Sequence, residues 1–471
     1  MIEPFAPSGA SPARESVALA RPLRTLHLTN SWHETSGGIA SFYRALMSAA
    51  NKRGHFIRLV VPGESDRVEE VGEFAKIYHL KSSRAPLNTQ YRMIYPRQFL
   101  PRNSALQNIL FAERPDVVEI CDKYTLTYLG ILIRRGLLRG IDFRPVVVGL
   151  SCERMDANFR TYLGRLPFYR QFCTAYMKWM YFPFFDHHIA NSQYTAEELR
   201  AASQGQLVQR HVWIRPMGVQ LSDLSPARRS DDKRRQLLKK VGGREDSVLL
   251  LYSGRLVPEK NLRLLFELLV HLAEDTKRDY RLLIAGDGIQ REHWQTFCEK
   301  RVPGRALFLG YIKDREELAE LLANADAFVH PNPDEPFGIA PLEAMASGLP
   351  LVAPNRGGVT SYANRENAWV TEASVEDFAA AIENVISNEG EKNRRVQNAS
   401  RTAEQYGWDV VAPSFLDLYA ELHSASTNHI SALPSSAFAS TQANGLRQAW
   451  FHGVSQSAEK IFQAASMFFS R

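Results

Sequence analysis

Cysteine is scarce and unpatterned in this chain. Four cysteines in 471 residues form no Cys-x-x-Cys pair, which argues against zinc and a disulfide framework and for reduced thiols in the cytoplasm. Asp-x-Asp is absent, so nothing calls for a divalent ion bridging a diphosphate, and no metal or cofactor is expected. Cys and His are also too scattered to suggest a zinc cluster. No apolar run is long enough to cross a bilayer, and no hydrophobic leader opens the chain. Acidic residues are in mild deficit. The formal charge of +6 suits an anionic membrane, a nucleic acid or a phosphorylated substrate alike. With 45% hydrophobic and 10% aromatic residues, bulk disorder is excluded.

A chain of this length defaults to two domains. Residues 1–21, rich in Ala, Ser and Pro, read as a disordered extension. Short aliphatic runs then alternate with helical patterns, the signature of βαβ units and parallel sheets. A first set comprises Leu26–Thr29, Ile57–Val61, Val117–Ile120, Val146–Gly149, His187–Ala190 and Val212–Ile214. A second comprises Val248–Tyr252, Arg281–Ala285, Ala306–Leu309, Ala327–His330 and Leu351–Ala353, after a basic stretch from Ser225 to Asp246. The expected architecture is α/β: two Rossmann-like, doubly wound domains at 22–218 and 219–408, facing across a cleft, with ligands at the carboxyl ends of the strands. A helix spans 409–424. A Ser/Ala-rich linker follows at 425–443. An apolar stripe from Leu446 through Trp450, Ile461 and Phe469 marks an amphipathic helix at 444–471. A helix docked on the body or in an oligomer contact ranks ahead of one lying in a membrane interface.

The most informative segment is Asp334-Glu335-Pro336-Phe337-Gly338-Ile339-Ala340-Pro341-Leu342-Glu343. Pro341 is tolerated only in the first turn of a helix, and Gly348 with Pro350 supplies the stop. A helix from about Gly338 to Ser347 follows. Its free N–H groups and positive dipole end seat a phosphate. Glu335 before that end and Glu343 behind it suit hydroxyl groups attached to such a phosphate. With Phe-Gly after the first acid and Glu-Ala-Met-Ala-Ser-Gly-Leu-Pro after the second, the segment resembles the nucleotide-sugar signature of retaining GT-B glycosyltransferases of family 4. The resemblance extends over roughly residues 22 to 424.

That resemblance implies a second domain holding a nucleoside diphosphate sugar. Glu343 would take the ribose, Glu335 the donor sugar, and the amides of Phe337, Gly338 and Ile339 the diphosphate. Ser253-Gly254-Arg255-Leu256-Val257-Pro258-Glu259-Lys260-Asn261 is similar to the family's Gly-Arg-x4-Lys-Asn pattern. Pro258 places Lys260 in a helix's first turn, where a cation calls for an anion in front of it. Arg255 offers a fork and Lys260 a point charge to the leaving diphosphate. Gly37 and Gly38, at a strand-to-helix turn, correspond to the loop that closes on the donor. Gly286 and Gly288 correspond to the loop near the base. In similar enzymes the last helix crosses back to the first domain.

One departure stands out. Where many relatives carry a histidine, the strand at Val146–Gly149 runs into Leu150-Ser151-Cys152-Glu153-Arg154-Met155-Asp156. A thiol does not replace imidazole as a hydrogen-bond relay. Either that role is dispensable or Glu153 or Asp156 has taken it over. Alternatively, both acids bind acceptor hydroxyls, with Arg154 fixing them by ion pairing.

Between Arg154 and Phe185, Arg160, Arg165, Arg170 and Lys178 are interleaved with Phe159, Phe168, Tyr169, Phe172, Tyr176 and Trp179. Such a mixture suits an aromatic core face with a solvated rim or an anionic membrane surface, ahead of any nucleic acid. The expectation is a metal-independent retaining transferase, cytoplasmic and peripheral on the inner face of the membrane. It would move a sugar from a nucleotide sugar to an acceptor hydroxyl on a glycolipid or envelope polysaccharide precursor. A nucleotide-sugar epimerase of the same fold and a non-catalytic nucleotide-sugar sensor are the alternatives.

Overall fold

A computed structural model describes residues 21–32, 37–85, 92–138, 141–163, 168–204, 212–274 and 278–431. The expected extension before Arg21, most of the linker, the C-terminal apolar stripe and Arg165 lie outside these residues.

The first half supplies β1 (Arg24–Thr29), β2 (Phe56–Gly63), β3 (Arg67–Glu70), β4 (Ala75–Lys81), β7 (Val117–Cys121), β8 (Val146–Ser151), β9 (His187–Ala190) and β10 (Val212–Ile214). Between β4 and β7, β5 (Ser83–Arg84) and β6 (Arg92–Met93) form a separate small hairpin. The main sheet has the order β10-β9-β8-β7-β1-β2-β4-β3 and is parallel except for the β3–β4 pair. Its helices are α1 (Gly38–Arg53), α2 (Ala105–Glu113), α3 (Thr127–Arg134), α4 (Met155–Leu163), α5 (Tyr169–Tyr176) and α6 (Gln193–Ser203). Strands β1, β2, β7 and β8 are buried along nearly their whole length. That is why they read as unbroken aliphatic runs.

The second half gives β11 (Val248–Ser253), β12 (Tyr280–Ala285), β13 (Ala306–Gly310), β14 (Ala327–Val329), β15 (Leu351–Pro354) and β16 (Trp369–Thr371). They form an all-parallel sheet ordered β13-β12-β11-β14-β15-β16. Its helices are α7 (Asp231–Lys240), α8 (Leu262–Glu274), α9 (Arg291–Arg301), α10 (Arg315–Asn324), α11 (Ile339–Ala346), α12 (Val375–Ser387) and α13 (Glu389–Glu404). In each sheet the strand order reverses at the first strand of the set, between β1 and β7 and between β11 and β14. Ligand crevices form beyond the carboxyl ends of strands at such a point.

The chain crosses between the halves twice, side by side. The Val219 amide donates to Tyr406 O at 2.8 Å, and the Trp408 amide to Val219 O at 3.2 Å. Helix α14 (Trp408–Ser431) then returns to the first domain. Phe415 packs on Phe42 of α1 with ring centroids 4.8 Å apart. Deeper in, Glu119 of β7 accepts from the hydroxyls of both Tyr43 and Tyr419 and contacts His27, all at full burial. A buried carboxylate supplied with several partners is tolerated where an unpaired one is not.

Three expectations need correction. Helix α14 continues through residues 425–431, where a linker was expected, because Ser and Ala without Gly or Pro do not stop a helix. Strands β3 and β4 were not anticipated. β3 is a fully exposed polar edge, and β4 mixes Lys, Tyr and His into its apolar residues. The short β16 on the opposite edge was missed as well.

Candidate active site

The loops that follow β11 and β14 meet at the switch point of the second sheet. The helix expected from about Gly338 to Ser347 forms as α11, Ile339–Ala346, with Gly338 as its N-cap and Ser347 as its C-cap. Gly338 has φ +90°, and a Cβ there would sit 2.9 Å from the Tyr362 hydroxyl. That position excludes an ordinary side chain. The same hydroxyl donates to Gly338 O. The first N–H groups of α11 therefore point out of a cap fixed from behind.

Glu335, 8% exposed, is gripped by Lys260, whose Nζ lies 2.9 and 2.7 Å from the two carboxylate oxygens. Asn332 Nδ2 donates to Oε2 at 3.1 Å. Burial alone would raise this carboxyl group, but Lys260, helped by His330 and Asn332, pulls it down to about 2. Glu335 is thus a permanent acceptor of hydrogen bonds and carries no proton to give. His330, buried beside it, is pushed down to about 4 chiefly by burial and is neutral at pH 7. Sequence reasoning missed Asn332 and His330, although both adjoin the motif at the end of β14.

Lys260 does not fall in a helix's first turn as expected. It ends a 3-10 turn, Pro258–Lys260, and Asn261 takes a left-handed φ of +52° before α8 begins. Asn261 is anchored by its amide to Pro331 O at 2.8 Å. That bond ties the loop after β11 to the loop after β14 and aims Lys260 at Glu335. Arg255 pairs with Glu259 at 3.3 Å and stays half exposed. Both expected cations thus hold carboxylates here.

Glu343 is buried on α11 and receives Arg315 Nη1 at 2.7 Å. Burial raises its carboxyl group, with Arg315 opposing. Sequence reasoning missed Arg315, 28 residues away. Gly286 and Gly288 owe their identity to more than a tight turn. A Cβ on Gly286 would lie 1.9 Å from Gly254 O, so their loop packs backbone to backbone on the one that carries Arg255.

The first domain closes on this assembly. A Cβ on Gly38, at the start of α1, would lie 3.1 Å from Ile339 Cδ1, whereas Gly37 has open space. Ser192 Oγ donates to Pro336 O at 2.6 Å. Asp334 accepts from Tyr194 OH at 2.9 Å and Arg356 Nη2 at 3.1 Å, and it pairs with Arg160 of α4. The loop carrying Glu335 is therefore held from both domains.

Beyond β8, Arg154 clasps Asp156 with two bonds of 2.9 and 2.6 Å and also reaches Tyr194 O and Glu197. It does not fix Glu153, contrary to expectation. The Glu153 side chain accepts from Asn158 at 2.9 Å instead, because α4 turns the two acids apart. Burial raises Glu153 despite Lys123 and Asn158. Asp156 would also be raised by burial, but Arg154 holds it low. Cys152 lies against Cys121, and that contact together with burial pushes its thiol well up. A neutral thiol at this place relays no proton at neutral pH.

In the aromatic-basic segment, Tyr181 and Phe182 are fully buried, while Phe168, Phe172 and Trp179 stand exposed. The segment is therefore core on one side and an aromatic strip on the other. Among the described residues no group of three or more His, Cys, Asp or Glu is placed to hold a metal, and no helix is long and apolar enough to cross a membrane.

Two family models match the chain: Glycosyltransferase Family 4 over residues 36–222 and Glycosyl transferases group 1 over residues 233–403. The chain is 28% identical over 397 residues to a GDP-mannose-dependent alpha-(1-6)-phosphatidylinositol dimannoside mannosyltransferase of Mycobacterium tuberculosis, covering 84% of this chain and 95% of that one. It is 27% identical over 406 residues to a GDP-mannose-dependent alpha-mannosyltransferase of the same species, covering 84% and 96%. Among solved structures, a sucrose-phosphate synthase of Thermosynechococcus elongatus superposes with a TM-score of 0.66 at 19% identity, covering 85% of this chain and all of that one.

Proposed function

The chain belongs to the family-4 glycosyltransferases of the GT-B fold, and on that premise we propose that it moves mannose from GDP-mannose to a hydroxyl of a membrane glycolipid. Transfer proceeds with retention at the anomeric carbon and without a metal. The observation that supports the transfer chemistry is the Lys260–Glu335 pair, set at the N-terminus of α11 with the first domain in contact with its loop.

The diphosphate sits against the amides of Phe337, Gly338 and Ile339, where the helix dipole favours negative charge. Arg255 and Lys260 add positive charge as the nucleotide departs. Glu335, always ionised, accepts hydrogen bonds from donor-sugar hydroxyls. Glu343 does the same for the ribose, oriented by Arg315. The sugar's bond to the leaving phosphate breaks and its bond to the acceptor oxygen forms on the same face. The acceptor proton passes to the departing phosphate oxygen, so no strong general base is needed. The acceptor approaches from the first domain, past Gly38 and the Cys152–Asp156 turn. There Glu153 and Asp156 meet its hydroxyls. Closure excludes water and limits donor hydrolysis.

GDP-mannose is the donor named for both mycobacterial relatives, and the acceptor class follows the phosphatidylinositol dimannoside named for the first. The exposed Phe168, Phe172 and Trp179, with Lys178 beside Trp179, support a peripheral position on the inner face of an anionic membrane. The test is GDP release from GDP-mannose in EDTA, with and without a detergent-dispersed phosphoinositol glycolipid. Acceptor-stimulated release and an α-linked product are expected. No stimulation by any glycolipid would overturn the acceptor class, and a β-linked product would overturn retention.

A further inference from the structure

A cavity of about 600 Å³ lies at the seam of the two domains, between α4, α5, the start of α6 and residues 355–360. Neither Arg255, Lys260, Glu335 nor Glu343 lines it, so it is separate from the donor site. Four arginines line it, against the carboxylates of Asp156 and Glu197. Arg154 is already committed to those two acids. The other three arginines are not saturated. Arg160 and Arg356 each give one Nη2 to Asp334. Arg170, among the described residues, donates only to the Tyr169 hydroxyl. The remaining wall carries the hydroxyls and amides of Thr174, Thr360, Asn355 and Gln193 and the rings of Tyr169 and Tyr194, with no aliphatic side chain larger than alanine. Such a lining selects a polar anion over an apolar ligand.

We propose that this cavity seats the phosphodiester of the acceptor, held by Arg160, Arg170 and Arg356. Guanidinium forks match phosphate oxygens in pairs, and their partly used edges remain able to donate. The three come from both domains, so all of them reach one anion only when the cleft is closed. The cavity also shares a wall with the donor loop. A Cβ on Gly357 would lie 2.7 Å from Pro333 O and 3.2 Å from Glu335 O. A phosphodiester here therefore presents the polyol it carries beside the segment that holds Glu335. This inference rests on the transferase reading above and names the chemistry by which the acceptor is recognised.

The test is calorimetry on the full chain loaded with nucleoside diphosphate. The titrants are a water-soluble glycerophosphodiester of a polyol, the same polyol without phosphate, and inorganic phosphate. The diester should bind, and the bare polyol about ten-fold more weakly or worse. Arg170→Gln and Arg356→Gln should each weaken the diester about ten-fold, the loss of one charge-assisted contact. Arg170→Lys, which keeps the charge but not the fork, should fall between. Arg263→Gln, an exposed change on α8, serves as the control. Melting curves show that each variant is folded. Equal binding of diester and bare polyol, or undiminished binding by both Gln variants, would overturn the proposal. Inorganic phosphate binding as tightly as the diester would overturn the acceptor assignment in favour of free phosphate. Nucleotide-sugar binding measured in parallel separates the two readings. If the donor binds and the diester does not, only this inference fails; if neither binds, the transferase reading fails with it.

Discussion

Removing the ammonium of Lys260 tests the centre of the site. In Lys260→Ala, Glu335 keeps Asn332 at 3.1 Å and His330 at 3.9 Å but loses both bonds to Nζ. Breaking a buried ion pair by removing one partner costs about 3 to 5 kcal/mol. Because the Lys260 side chain keeps 19% of its exposure, the lower end applies, about 3 kcal/mol. The lost cation should also slow departure of the nucleotide by roughly 10²- to 10³-fold, the usual effect of deleting one preorganised electrostatic group. The two effects are separable. Adding Glu335→Gln to Lys260→Ala leaves a neutral amide that needs no cation, so the double variant should regain about 2 kcal/mol of stability. Turnover should remain low. Urea unfolding reads the first effect and steady-state GDP release the second. Near-normal turnover in Lys260→Ala, or strict additivity of the two stability losses, would refute the reasoning.

Other consequences follow from neighbouring contacts. Asp334→Asn keeps the shape of the interdomain contact and removes its charge. It should cost about 1 kcal/mol of closure, read as roughly five-fold lower kcat with little change in donor affinity. Gly286→Ala forces two backbones apart and should lower stability by about 1 to 3 kcal/mol in urea unfolding. His330 is held near 4 in the folded chain against 6.5 unfolded, so the unfolded state binds the extra proton between those values. Its contribution is complete above pH 6.5 and lost as pH falls towards 4, about 2 kcal/mol of it by pH 5. His330→Asn should flatten that slope. Glu335, held near 2 against 4.5, acts in a lower window, losing its contribution only as pH drops below 4.5. A pH series of unfolding free energies distinguishes the two.

Much of the fold was legible because a parallel sheet buries its strands on both faces, leaving short β-branched runs such as Val146–Gly149 between helical patterns. β9 was read with its observed ends, and α11 was bounded by Pro341 and the Gly-Leu-Pro stop. β4 escaped because Tyr78 and His79 interrupt its apolar run, and β3 because an exposed edge buries nothing. The motif residues were legible one by one, whereas their pairing was not. Lys260 and Glu335 lie 75 residues apart, Tyr194 and Asp334 140, and Arg160 and Asp334 174. Only the packing of two domains brings such charges together. Asn261 shows the local limit. Its left-handed conformation, set by a distant carbonyl, turns an expected helix start into a separate turn and redirects Lys260.

The most direct measurement is binding and slow hydrolysis of GDP-mannose, UDP-glucose and ADP-glucose by the full chain in EDTA. GDP-mannose should bind preferentially and release GDP slowly without metal, and Lys260→Ala should slow that release by roughly 10²- to 10³-fold. Failure to bind any of the three, or binding only after a divalent ion is restored, would contradict the account.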